Sequence, residues 1–173
     1  MHFIFFCLLV SAQGEPRLTL LSAHGEPSPA LSSAHTEPPL ARVRGLYQQC
    51  MISRDSCIAL LSLLSEYDEG NGPLLAGYRA AGTMVMAKYA VGPWAKWKCF
   101  CQGRDLLERC VAGGRKDIEL IFIRYCIQSN CPWFLNYRQS LAQDRKFIEA
   151  NLDRVGDPVL KRTIGNYMRS VRR

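Results

Sequence analysis

Histidine is missing from most of this chain: all three, His2, His24 and His35, precede Ala41. The commonest nucleophile–base–orienter sets and hydrolytic metal sites need one, so Ser-His-Asp, Cys-His and most such metal chemistries are excluded from the remainder. No Cys-x-x-Cys pair occurs, which removes that redox motif. Cys99-Phe100-Cys101 is not the two-residue-spaced pair of a zinc site, and no second pair stands at ligand spacing. Gly113-Gly114-Arg115-Lys116 lacks the spacing of a phosphate-cradling loop, and Asp68-Glu69 sits in a Gly-rich turn, where carboxylates are helix-end charges. There is no Asn-x-Ser/Thr sequon. No apolar run reaches the roughly 20 residues that span a membrane, and Arg169-Ser170-Val171-Arg172-Arg173 is not the hydrophobic tail of a lipid-anchor signal. Alternating β-branched runs bounded by hairpin turns are also absent. These absences lead us to expect an all-α, non-enzymatic protein with no cofactor and no metal.

Cysteine, by contrast, is plentiful, with 8 in 173 residues. Met1-His2 is followed by an apolar run from Phe3 to Val10 and then by small residues at Ala12 and Gly14, the pattern of a signal peptide over residues 1–14, although no Lys or Arg precedes the run. A secreted, extracellular protein is therefore expected. Cys7 would leave with the leader. Cys50, Cys57, Cys99, Cys101, Cys110, Cys126 and Cys131 remain as disulfide candidates, a density typical of oxidising compartments. Three bridges are expected, with connectivity open and the odd cysteine either a free thiol or the link of a disulfide-linked dimer. The net charge of +7 favours acidic partners. In the extracellular setting these are heparan sulfate or an anionic membrane surface rather than nucleic acid.

Along the chain, residues 15–40 are rich in Pro, Ser, Ala and Glu, and Ser22-Ala23-His24-Gly25-Glu26-Pro27 is nearly repeated at Ser33-Ala34-His35-Thr36-Glu37-Pro38. Such a composition buries too little apolar surface to offset chain entropy, so a disordered linker or propeptide is expected there. Residues 41–173 are expected to form a cysteine-rich helical domain, a disulfide-stabilised bundle of five to six helices organised around Trp94–Cys131. Cys57, Leu60, Leu61 and Leu64 share a helical face, with Cys50 on nearly the same face. Asp68–Gly72 should stop that helix and Pro73 open the next, which runs to about Ala90. Gly77 and Gly82 inside it call for a kink or a closely packed neighbour. Trp94 and Trp97 are expected to shield a disulfide, with Lys96 and Lys98 toward solvent, before a short helix over Asp105–Val111. Ile118, Ile121, Phe122, Tyr125 and Cys126 mark the core helix, which Asn130-Cys131-Pro132 ends. A helix over Pro132–Leu152 should bury Phe134, Tyr137, Leu141, Ile148 and Leu152. A last one after Asp157-Pro158 carries an apolar face of Leu160, Ile164, Tyr167, Met168 and Val171. Its basic residues Lys161, Arg162, Arg169, Arg172 and Arg173 are the polyanion-binding candidates.

Cys50-x6-Cys57 with a Leu-rich helix and Tyr67, followed by Cys99-x-Cys101-x8-Cys110 and a later helix, resembles the cysteine-rich helical domain of the glial-cell-line-derived neurotrophic factor receptor alpha subunits and the growth-arrest-specific co-receptor. The resemblance covers Leu46 to Cys131. The domains of that family usually carry about ten cysteines; here the one expected near Tyr67 to Leu75 and the one just ahead of Cys99 are missing. The resemblance implies a Cys-x-Cys lying between helices and a module that binds a growth factor or receptor, as a co-receptor-like or soluble decoy protein. Other functions remain open: a secreted peptide precursor cut at Arg115-Lys116 or Lys161-Arg162, a helical cytokine-like or toxin-like ligand, or a cationic effector acting on membranes through its last helix.

Overall fold

The computed structural model describes residues 38–113 and 116–171, and among them all regular structure is helical. The expected leader, Cys7, the three histidines, most of the expected linker, Arg115 of the first dibasic pair, and Arg172 and Arg173 lie outside the described residues. Within the described residues seven α-helices follow one another, where five to six were expected: α1 (Leu40–Cys50), α2 (Arg54–Leu63), α3 (Pro73–Met86), α4 (Pro93–Gly113), α5 (Ile118–Asn130), α6 (Leu141–Asn151) and α7 (Pro158–Ser170). Short 3-10 turns at Trp133–Leu135 and Leu152–Arg154 flank α6.

Local chemistry explains the starts. Asp117 and Asp157 each accept two backbone N–H bonds, from Glu119 and Leu120 and from Val159 and Leu160, and so cap α5 and α7. Pro73 and Pro158 occupy first-turn positions, where their missing N–H is no loss. Ser53 caps α2 by accepting from the Ser56 N–H, so Cys50 and Cys57 belong to two helices joined at Met51–Ser53 and not to one continuous face. Both thiols nevertheless point inward, and both residues are fully buried.

The spatial centre is α3, ahead of the Trp94–Cys131 stretch expected to organise the fold. Nine of its 14 residues are buried, most of them small: Ala76, Gly77, Ala80, Ala81 and Gly82 among them. Small side chains let neighbours close in. A Cβ at Gly103 would stand 2.5 Å from the Ala80 carbonyl oxygen, and one at Gly77 would strike Leu120 of α5 and lie 3.9 Å from Leu107 of α4. Gly82 faces Leu60 and Leu61 of α2. Of the two explanations for glycines within this helix, close neighbours are therefore the one the packing supports. The pairings of position 77 with 107 and of 84 with 103 make α3 and α4 antiparallel.

Three expectations need correction. Residues 93–113 form one 21-residue helix, so Cys99 and Cys101 lie inside α4 and not between helices, and Trp94 and Trp97 are exposed on it, shielding no disulfide. The segment after Pro132 is not one helix: Asn136, at φ 46°, breaks it after the 3-10 turn, leaving Phe134 exposed while Tyr137 and Ile148 are buried. Val171, expected on the apolar face of α7, is exposed. No disulfide joins any two of the seven described cysteines, and the helices pack without one. No helix among the described residues is long and apolar enough to cross a membrane.

Candidate binding site between helices α1, α3, α5 and α7

Four helices line a half-open cavity of about 420 Å³, within the roughly 300–1,000 Å³ span of small-molecule sites. Helical periodicity supplies each wall. Ala41, Arg44, Gly45 and Gln48 follow the three-four spacing of one face of α1; Tyr78, Ala81 and Val85 do so on α3; Phe122, Ile123, Cys126, Ile127 and Asn130 on α5. Leu160 and Thr163 of α7 complete it, with Val159 at the rim. Apolar side chains dominate the surface, and Gly45 opens it: a Cβ added there would meet nothing within 4 Å.

One end is polar, its charged groups hydrogen-bonded to one another. Arg44 grips Glu119 with two parallel bonds, Nε to Oε1 at 2.6 Å and Nη2 to Oε2 at 2.8 Å, and its Nη1 donates to Asp157 Oδ2 at 2.7 Å. The Tyr78 hydroxyl donates to Glu119 Oε1 at 2.6 Å. This clamp ties α1 to α5 and to the N-cap of α7. The Glu119 side chain is only 5% exposed, and an ionised carboxylate at that depth needs such a set of donors. Donation to the Glu119 carboxylate holds the Arg44 guanidinium firmly protonated. Burial, then the adjacent Glu119 carboxylate, push the Tyr78 phenol above its ordinary range, so it stays a donor. Arg44 in turn holds the Asp157 carboxyl below the usual carboxylate range. Glu119, Asp157 and Arg44 together carry a formal charge of −1.

Of the described disulfide and polyanion candidates, Cys126 alone lines the cavity. Cys50 and Cys57 come together, their thiols in contact, and Cys57 also donates to the Gly82 carbonyl at 3.3 Å. Donation to Cys57, with burial, keeps the Cys50 proton in place. Cys110 and Cys131 are buried and Cys99 and Cys101 half-buried; burial pushes the Cys110 thiol up to about 11. Of the polyanion candidates, Lys161 pairs with Asp153 at 3.0 Å, Arg169 hydrogen-bonds Asn166, and Arg162 is exposed on α7. Among the described residues no three His, Cys, Asp or Glu side chains gather as a metal would require.

Sequence reasoning missed Arg44 and Glu119 and saw Asp157 only as a cap. A signal was available: Glu119 and Arg124 interrupt the apolar run of α5, and a charge inside a core helix needs a partner. Nothing in the sequence says which partner, because Arg44 and Asp157 lie 75 and 38 positions from Glu119. Comparison with family models, with curated proteins and with solved structures found no match for this chain.

Proposed function

We propose that this chain is a secreted, non-enzymatic binding protein whose ligand seat is the cavity between α1, α3, α5 and α7. One observation carries the reading: an apolar cavity of about 420 Å³ closed at one end by charged groups that already satisfy one another. Such a site can hold an apolar body, while its acids and base are engaged in holding helices together and not poised for proton transfer. Secretion rests on the leader over residues 1–14 and on the cysteine density. Titration of the full secreted chain with the neutral fluorophore N-phenyl-1-naphthylamine should show saturable uptake of one molecule per chain. Gly45→Phe, which fills open space while improving helix propensity, should reduce it at least about tenfold. Absence of saturable uptake would sink the proposal.

A second reading, a co-receptor-like module for a growth factor or receptor, is favoured by a different surface. Trp94, Trp97, Trp133 and Phe134 are all exposed, Trp133 at 81%, and the ring chain Trp97–Phe100–Tyr137 links the two segments that carry them. Exposed aromatics beside Lys96 and Lys98 suit a protein contact. Heparan sulfate binding would use the outer face of α7, where Arg162 and Arg169 lie seven residues apart and so on one side. Charge reversal of Lys161, Arg162, Arg169, Arg172 and Arg173 that left heparin-column elution unchanged would remove that part.

A further inference from the structure

We infer that the cavity selects apolar ligands whose polar end is a hydrogen-bond donor or a cation, an alkyl amine or alcohol in chemical class, and discriminates against carboxylates. The inference rests on the apolar-seat reading above. Among the described residues only two formally charged ones line the cavity, Arg44 and Asp157, and they are paired with each other at 2.7 Å. The arginine is also committed on its other side to Glu119, through bonds of 2.6 and 2.8 Å. One cation thus faces two carboxylates, and the surplus charge is negative. The accessible part of that surplus is Asp157, whose side chain is 37% exposed against 5% for Glu119. Its Oδ1 is occupied by the Val159 and Leu160 N–H groups, whereas Oδ2, among the described residues, accepts only from Arg44 Nη1 and keeps a lone pair. An ammonium or hydroxyl at the polar end of an apolar chain can donate there. A carboxylate would meet Asp157 without a free cation opposite it. The N-terminal dipole of α7 offsets part of the Asp157 charge, equivalent to about half a charge, and the sign of the remainder is unchanged.

The overall charge of the protein makes the inference easy to break. At +7 the chain attracts anions in general, so non-specific electrostatics would rank a fatty acid first and the geometry of the site ranks it last. Competition should be measured at neutral pH against bound N-phenyl-1-naphthylamine, with dodecylamine, dodecan-1-ol and laurate each kept monomeric. The expected order of displacement is dodecylamine, dodecan-1-ol, laurate, with up to about fivefold between the first and last, as for partly exposed charge pairs. Asp157→Asn, which keeps an N-cap, should abolish the preference for the amine. Saturable fluorophore uptake with laurate equal to or better than dodecylamine would overturn the ligand class and leave the apolar seat standing. Loss of uptake altogether would overturn the seat, and the ligand class with it.

Discussion

The two halves of the molecule are held by different physics. Around α3, the helices α1–α4 share a core built on close backbone approach, with Ala80, Ala81 and Cys57 fully buried and glycines where helices touch. Around the outer face of α5, helices α6 and α7 pack through large side chains: Ile121, Phe122, Tyr125, Ile148, Ile164 and Tyr167, with Tyr167 edge-on to both Phe122 and Tyr125. Helix α5 belongs to both, giving Leu120 and Ile123 to the first cluster and Ile121, Phe122 and Tyr125 to the second. Ion pairs take over at the seams, where Arg44 joins α1 to α5 and α7 and Arg124 joins α5 to α6 and α4. Two cores of different grain do not interdigitate completely, and the cavity lies along the line where they meet.

The largest effect should come from a seam. Arg124 holds Asp144 with two bonds of 2.8 and 2.6 Å, and the Asp144 side chain is 3% exposed. Arg124→Met removes the cation and strands that carboxylate, an expected loss of about 3–5 kcal/mol in urea unfolding. The exposed pair between Arg109 and Glu69, also at 2.8 Å, should lose far less when broken. Equal losses would show that burial does not separate the two pairs. Next in size is a test of the tight half. In Gly103→Ala the new Cβ would stand 2.5 Å from the Ala80 carbonyl oxygen and 3.0 Å from the Met84 nitrogen, both backbone atoms that cannot turn aside. The cost should reach about 2–3 kcal/mol despite a gain in helix propensity, and a neutral result would mean that α3 and α4 can slide apart.

The contact between Cys50 and Cys57 makes the tight half also the place where oxidation should start. With oxidised glutathione as acceptor of the two electrons and of the two protons, leaving as two molecules of reduced glutathione, those thiols should close the first disulfide, spanning the Met51–Ser53 break. Closing so short a loop should add about 2 kcal/mol. Peptide mapping after partial oxidation checks the pairing. A first bond at Cys99 or Cys101, the more accessible thiols, would show that exposure governs the order and proximity does not.

Much of the helical layout was legible before any coordinates. Asp157-Pro158 and Pro73 are local signals and they start helices; the stripe from Ile118 to Cys126 follows α5. Continuity was harder to read. Gly92-Pro93 opens α4 as a first-turn proline does, yet Trp94 and Trp97 after it read as a shield over a disulfide ahead of a shorter helix, since both tryptophans stay in solvent and give no helical stripe. Cys50 and Cys57 share a heptad spacing whether or not the helix between them is broken, so Ser53 was needed to see the break. The cavity was not legible at all, because its walls come from four helices and its clamp joins residues far apart in sequence. A polar residue in an apolar run announces that a partner exists; only the fold supplies it.

The smallest expected effect sits at the cavity itself. Gly45 is in the middle of α1, where glycine costs helix stability through lost backbone entropy, and nothing lies within 4 Å of the Cβ it lacks. Gly45→Ala should therefore stabilise the protein by about 0.5–1 kcal/mol, the opposite sign to the same change at Gly103. Chemical denaturation of the two variants side by side reads this directly. If both stabilise, the close approach of α3 and α4 is not a constraint; if both destabilise, the space beside Gly45 is already filled and the cavity is closed. Opposite signs would place tight packing around α3 and open volume beside α1 within one small helical protein, with a glycine at each for a different reason.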